Sequence, residues 1–432
     1  MRFHTLKNWM LKNIDMRKRL QTVCLWFLIS LMVETRKHSL TFAAELSGLD
    51  RAQFCKFLRN SRKVTAHTLE TLSKKQAGMF AGMLKRITGL PWKVVIIVDS
   101  TIQGRSSLKS ENVGRHNHGK GFVIGHQWTN IILVVCGVII PLPPIPLYSR
   151  NYCRKHGIEY LTEHDLVIGY LSGLDLAEYV GPHDSADVVV LADSGYDDKR
   201  IQNTIIGRGW DFVIALKCSR GVKSDAKYAK TRKSPPWDGI AEFFKKQRML
   251  AWETVSILAD SQKKRKEFRV RHTLAWIRGV GRILVVCSEF RKRRKGRKRK
   301  FIACSNHKAT PEQILRGYGI RRRIETFHKH VKMNLGFEDV AAKHFSSVES
   351  HVYLVYCAYI LLHADPPGVP KDAKSLCEKQ QYVEGVLENR KAASDLQRLT
   401  QIGGLERYRD ELKSLPEDGE FHKPLSGKYA RV

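Results

Sequence analysis

The 432-residue sequence predicts an α/β protein with a helical region at its N-terminal end, and three observations carry that expectation. Four short runs are apolar at every position and rich in β-branched residues, at 94–98, 131–140, 188–192 and 212–216. Such runs mark strands covered on both faces. Stretches of helical periodicity alternate with them, for example 163–176 behind a Thr162 cap. Residues 1–88, by contrast, show helical periodicity throughout and no strand-type alternation. A hydrophobic content of 43% is enough to bury a sizeable core, which excludes a disordered or fibrous chain, and the length suits two or three domains.

Taken in order, residues 1–88 form the helical region. Within it, the apolar stretch 22–33 follows a basic segment and so imitates a signal peptide. It begins far from the first residue, has no small-residue cleavage site and falls short of the ~20 residues that span a bilayer, so it reads as a buried helix. Residues 39–48 and 49–58 read as helix, glycine turn and second helix, with Ala44 four positions before Gly48 allowing close approach. A helix-turn-helix that reads DNA and a simple packed hairpin fit this pattern equally. The buried strands occupy 89–219. In 220–306 charge is interleaved with apolar residues, and 249–258, 268–277, 283–290 and 301–305 read as antiparallel strands of an inserted β module. Residues 307–365 return to helix, with an apolar helix from Val348 to about His363, and 366–432 form a polar helical tail after Pro366 and Pro367.

Charge narrows the function. With 75 Lys and Arg against 42 Asp and Glu the net charge is +33, which points to a polyanion, nucleic acid first, as partner. Residues 291–300 contain nine basic residues in ten, between two predicted strands. A hairpin that touches phosphates fits the global charge better than a solvated tip or a localisation signal. The nine cysteines are scattered without a C-x-x-C pair, so reduced thiols are expected, with neither a zinc knuckle nor a disulfide framework. No phosphate-binding G-x-x-x-x-G-K-[ST] loop is present.

Two carboxylates, Asp99 and Asp193, each follow the last apolar residue of a predicted buried strand, where the chemistry of open α/β sheets is found. Singly, each reads as well as a cap or turn residue. As a pair on neighbouring strands they would repel unless they shared protons or bound a cation, and hard oxygen ligands favour Mg²⁺ or Mn²⁺. Glu325 is the third candidate. On a helical wheel Tyr318, Arg321, Glu325 and Lys332 fall within ~60° of one another, beside the apolar sector of Ile320, Ile324, Phe327, Val331 and Leu335. A solvated basic face accounts for the cations of this arc but not for a Glu and a Tyr beside the core.

The spacing Y-(2)-R-(3)-E-(6)-K, filled by Tyr318, Arg321, Glu325 and Lys332, resembles the signature of DDE transposases of bacterial insertion sequences, specifically insertion sequence family four. Asp99 and Asp193 resemble that family's first and second acids, and the likeness spans roughly residues 90–365. It implies a ribonuclease-H-like catalytic domain in two parts, 89–219 and 307–365, interrupted by the β-rich 220–306. The spacing agrees, since Glu325 lies 132 positions after Asp193, more than a crossover helix and loop require. It further implies that Asp99, Asp193 and Glu325 hold two Mg²⁺ ions, with Mn²⁺ able to substitute, and that Tyr318, Arg321 and Lys332 contact DNA. The implied activity is binding of an element's terminal repeats, cleavage there and joining of 3′ ends to target DNA. The partners would be double-stranded DNA and a second copy of the chain on it, in the bacterial cytoplasm at the nucleoid, with no membrane. The family can also excise through a DNA hairpin whose flipped base stacks on an aromatic residue of the insertion. Trp252 and Trp276 are the candidates here, although burial in the core is the favoured role for each.

Two other classes stay open at this stage: a nuclease of the same fold that cleaves without joining, and a DNA-binding repressor whose acids are only capping residues. Joined products separate the first from a transposase, and metal-dependent cleavage excludes the second. The tripeptide His116-Asn117-His118 copies a nuclease motif in name only. Gly104, Gly114, Gly119 and Gly121, with Arg105, Lys109, Arg115 and Lys120 among them, read either as a simple glycine-rich loop or as one lying along phosphates.

Overall fold

The computed structural model describes residues 3–401 apart from 15, 36, 85–89, 107, 118–120, 225–236, 248, 259–264, 292–298, 340–341, 371 and 374, with backbone alone from 395 onward. The centre of the basic run (292–298), His118, Gly119, Lys120 and the tail after 401 therefore lie outside the described residues.

Five helices open the chain: α1 (Phe3–Asn13), α2 (Lys18–Met32), α3 (Leu40–Ser47), α4 (Arg51–Asn60) and α5 (Arg62–Ala81). In α2 every residue from Cys24 to Met32 is buried, the pattern of a helix surrounded on all sides. The α3–α4 pair is punctuated as its sequence dictates. Ser39 and Asp50 cap the two N-termini, and Gly48, at φ +73°, returns its N–H to the Ala44 carbonyl. In α3, Ala43 is fully buried and Ala44 half-buried.

The strands β1 (Val94–Gly104), β2 (Gly114–Asn117), β3 (Phe122–Val135), β4 (Val138–Pro141) and β5 (Ile145–Pro146) come next. The apolar run 131–140 is thus two strands. Cys136 (φ +49°) and Gly137 (φ +83°) form the two-residue turn between them, both left-handed as the primed hairpin turns require. Three helices follow, α6 (Arg150–His156), α7 (Glu163–Gly173) and α8 (Ala177–Val180). The α7 start is a capping box, in which Thr162 accepts from the Asp165 N–H and Asp165 accepts from the Thr162 N–H.

Then come β6 (Val188–Ala192), α9 (Lys199–Gly207), β7 (Asp211–Ala215), β8 (Gly221–Ser224), β9 (Asp238–Gly239), α10 (Ile240–Lys246), β10 (Glu253–Leu258), β11 (Arg265–Ile277), β12 (Gly281–Phe290) and β13 (Lys300–Cys304). The chain closes with α11 (Pro311–Ile320), α12 (Arg322–Asn334), α13 (Phe345–His363) and α14 (Leu376–Gln401).

Among the described residues the strands form one mixed sheet in the order β2-β3-β1-β6-β7-β13-β12-β11-β8-β9, with β4 and β5 beside β3 and β10 beside β11. At its centre β1, β6 and β7 are parallel, while β3 runs antiparallel to β1. The strands of 220–306 continue this sheet, because β13 pairs directly with β7. One face is covered by α11, α12 and α13, the other by α7, α9 and α10. Helix α13 lies inside the core on the α11–α12 side of the sheet. It is apolar and long enough to cross a membrane, and 94% of that stretch is buried inside the fold, against α2, α4 and α5 on one side and α12 on the other. The left-handed Gly336 (φ +63°) makes the junction tight, since a Cβ there would come within 2.6 Å of the His38 Cβ. All nine cysteines are free thiols.

Candidate active site

Parallel pairing sets the site. Val98 of β1 is in register with Ala192 of β6, so the next residues of the two strands, Asp99 and Asp193, emerge side by side from the same edge of the sheet. Five buried residues precede each acid. β6 ends there, but β1 runs on to Gly104, so Asp99 lies inside its strand, just beyond the last β1–β6 pairing and still paired with β3, and not at a strand end as the sequence predicted. Beyond Ala192 the chain turns at once into a 3₁₀ turn that Asp193 caps, accepting from the Gly195 N–H at 2.7 Å.

Glu325 approaches on α12, held over the sheet by three contacts. The Asn130 amide, opposite Asp99 on β3, donates to His328 Nε2 at 2.8 Å and accepts from the buried Tyr356 hydroxyl of α13 at 2.7 Å. Burial first, then Lys332 and Arg321, hold His328 at about 3, so its ring stays neutral and can accept. Arg323 donates to the Gly137 carbonyl in the β3–β4 turn, and Lys332 Nζ donates to the Ile102 carbonyl of β1 at 2.6 Å.

Arg321 stands at the centre. It is the joint between α11 and α12, where the wheel had assumed one unbroken helix, and its backbone stays helical (φ −49°, ψ −32°). Its guanidinium reaches the Asp99 carboxylate at 3.5 Å and hydrogen-bonds Glu325. The Tyr318 ring lies 6.0 Å from that guanidinium, and Lys300 Nζ stands 5.4 Å from the same ring. Burial pushes the Asp99 carboxyl up to about 6; Arg321 opposes the rise, while Asp193 and Glu325 add to it.

Asp99, Asp193, Tyr318, Arg321 and Glu325 therefore share one electrostatic neighbourhood. Among the described residues no three His, Cys, Asp or Glu side chains converge closely enough to hold a metal ion as they stand. The donor set nevertheless suits a divalent cation: carboxylate oxygens, one of them disfavoured as an anion by burial, around a point that a cationic side chain neutralises. Lys332 sits apart. Besides Ile102 it faces Glu338 at 3.5 Å, and it lines a cleft of about 670 Å³ with Ser100, Arg115, His116 and His328.

Several residues here escaped the sequence reading. Lys300 was visible only as the last member of a basic run. Glu338 gave no signal, though it accepts from the Gly104 N–H at 3.2 Å. Behind Asp99, the buried Tyr196 hydroxyl donates to Glu163 at 2.5 Å, and Glu163 accepts from Gln127 at 2.8 Å. Tyr196, three residues after Asp193, could have been flagged by that spacing.

Trp252 and Trp276, expected in the core, are not fully buried, and only Trp252 packs against the core. Trp276 is 38% exposed, one residue before the end of β11, on the face that buries Val270 further along the strand. Trp252 is half-buried, with the guanidinium groups of Arg271, Arg269 and Arg299 at 4.5, 5.0 and 5.4 Å from its ring. The ends of the basic run are anchored, Arg291 to Glu267 and Arg299 to Glu289, each at 3.0 Å. In the glycine-rich region Arg105 turns inward to the Glu338 carbonyl, and His116 bonds the Gly125 carbonyl.

Residues 172–361, less than half of the chain, match the family model described as the transposase DDE domain. The matched stretch contains Asp193, Tyr318, Arg321, Glu325 and Lys332, and begins after Asp99. It supports a transposase of the DDE kind, with DNA as its partner. No curated protein matches the chain.

Proposed function

We propose that this protein is a metal-dependent transposase that binds the terminal repeats of its element, cleaves phosphodiester bonds there and joins the 3′ ends to target DNA. The observation that carries the reading is the β1–β6 register, which sets two carboxylates side by side on adjacent parallel strands, with Arg321 reaching from Asp99 to Glu325, in a chain whose residues 172–361 resemble a transposase DDE domain. The strand order β4-β3-β1-β6-β7, antiparallel up to β1 and parallel after it, supports a ribonuclease-H-like catalytic domain.

Asp99, Asp193 and Glu325 would hold two Mg²⁺ ions, or Mn²⁺ in their place. When bound, the ions supply charge stabilisation to the attacking and leaving oxygens of a phosphodiester. The chain's own residues do the rest. Arg321 pairs with both Asp99 and Glu325, and the Tyr318 hydroxyl and the Arg321 and Lys332 side chains are hydrogen-bond donors suited to phosphates beside the scissile bond. Residues 1–88 would read DNA through α4, whose exposed face carries Arg51, Lys56 and Arg59 while Phe54, Phe57 and Leu58 bind it to the core. Two ends must be joined together, so a dimer on DNA is the working unit, in the bacterial cytoplasm at the nucleoid.

The test is incubation of the purified protein with linear DNA carrying the sequences that flank its reading frame, with Mg²⁺ or a chelator, followed by sequencing of products. Cleavage at the element ends and 3′ joining to a second duplex, both lost in chelator, are expected. Cleavage without joining would make it a nuclease, and binding without cleavage would leave a repressor.

A further inference from the structure

A second basic cleft, of about 470 Å³, opens between the first turn of α9, the segment after β7 and the β11–β12 turn. Lys199, Lys217, Arg220 and Arg278 line it against a single acid, Asp197. That acid is already committed. Its side chain, 1% exposed, accepts from the Lys217 N–H at 3.0 Å and from Gln202 at 3.2 Å, and faces Arg220 Nε at 3.5 Å. Arg220 is oriented by a bond from Nη2 to the Gln202 side-chain oxygen at 2.9 Å, and its buried Nε makes no hydrogen bond. The side chains of Lys199, Lys217 and Arg278 are exposed, with no ion-pair or hydrogen-bond partner among the described residues. Four cations converging on one satisfied carboxylate leave a local excess of positive charge that an anion would relieve.

The position of this cleft indicates which anion. Asp197 lies four residues beyond Asp193, and Lys217 two residues beyond the end of β7, the parallel neighbour of β6. The cleft therefore opens at the edge of the sheet from which Asp99 and Asp193 emerge. We infer that it grips a backbone phosphate of the DNA, at a distance from the scissile bond, and so fixes the direction in which the duplex crosses the sheet edge. This inference rests on the transposase reading for its DNA. Arg220 is the pre-oriented element, and Lys199, Lys217 and Arg278 supply charge and reach.

The experiment compares wild type with a Lys199→Gln/Arg278→Gln double variant, both sites being exposed and outside the catalytic cluster. Binding of a fluorescein-labelled duplex is followed by anisotropy between about 50 and 200 mM salt. The double variant is expected to flatten the log-log salt slope by about 0.9, the value for one neutralised phosphate, while its cleavage rate at saturating DNA stays that of wild type. A charge-matched Arg154→Gln/Lys155→Gln variant on α6 should keep the wild-type slope. An unchanged slope in the double variant, or an equal change in the α6 variant, overturns the inference. Calorimetric titration with inorganic phosphate distinguishes the other source: phosphate binding that the double variant abolishes, with DNA binding unaltered, would make this a site for the free anion. Failure of wild type to bind or cleave DNA would instead overturn the transposase reading, which the wild-type arm reports by itself.

Discussion

The parallel centre of the sheet and its antiparallel arm are built from the same ladder but covered differently. In β6 all five residues are buried, whereas β10, in the same sheet, has four exposed residues of six. At the centre, helices on both faces hold the strands fixed, and the candidate acids Asp99 and Asp193 follow the buried runs of β1 and β6 there. Beyond β13 and β12, which are still covered on both faces, β10 and the first half of β11 are largely exposed, and the arginines around Trp252 lie nearby. Double coverage suits groups that must hold a fixed mutual position, and single coverage suits groups that meet a long, charged partner.

The largest expected break in this comparison is chemical. Alanine at Asp99, Asp193 or Glu325 should lower cleavage by about 10³-fold or more, a loss of roughly 4 kcal/mol of transition-state stabilisation, with DNA binding retained in a gel-shift assay. Near-normal cleavage in any of the three would remove that acid from the site. Next comes stability. Leu191→Ala, at a fully buried position of β6, should cost about 2 to 5 kcal/mol in denaturant titration, because it removes a side chain and leaves a cavity.

Asp99 gives the comparison a pH axis. Its carboxyl holds a proton up to about 6 in the folded chain, against an ordinary value of 3.8. The stability it contributes is therefore fully present below about 3.8 and lost as pH rises through 6. Asp99→Asn should be more stable than wild type at pH 8 in chelator, by up to about 3 kcal/mol, and equal to it below pH ~4. A thermal-melt difference that does not vary with pH would contradict this account of the site.

Smaller effects follow for the donors. Tyr318→Phe, Arg321→Ala and Lys332→Ala should each weaken end binding and cleavage by about 1 to 3 kcal/mol, read by footprinting of the terminal base pairs. If calorimetry shows that the Arg321 variant binds Mg²⁺ more weakly than wild type, its guanidinium does not compete with the ion for Asp99 and Glu325. The smallest effect marks the open side of the arm: Leu258→Ala, at 59% exposure, should change stability by no more than about 0.5 kcal/mol in the same titration.

The same contrast explains what the sequence reveals. Continuous apolar runs betray doubly covered strands, so β1, β6 and β7, and with them the acids that follow the apolar runs of β1 and β6, are legible from residue pattern alone, whereas the polar continuation of β1 to Gly104 is not. The turn inside 131–140 is hidden because a cysteine occupies a left-handed position where Asn or Gly is the usual signal. The helical wheel reports angle and ignores rise. Lys332 shares the arc of Glu325 but lies seven residues further along, about 10 Å on the helix axis, and it serves the neighbouring cleft instead. Trp252 and Trp276 mislead because apolar character does not fix position along a strand: Trp276 stands one residue from the end of β11 and Trp252 just before β10, where cover thins. The relay from Tyr356 through Asn130 to His328 joins three distant segments, and nothing local to any of them announces the other two.

The helices of residues 3–81 close around α13, which comes more than 260 residues later in the chain, and His38 bonds the Asn334 carbonyl while its N–H meets Asp339. Synthesis is vectorial, and at about 5 to 20 residues per second the ribosome needs roughly 15 to 60 s to pass from the end of α5 to the end of α13. For that interval the N-terminal helices are made but lack the helix that fills their centre, and the apolar faces of α2 and α4 stand open. Nascent chains of this protein thus have a period in which a chaperone, or a neighbouring chain on the same message, can occupy the place reserved for α13.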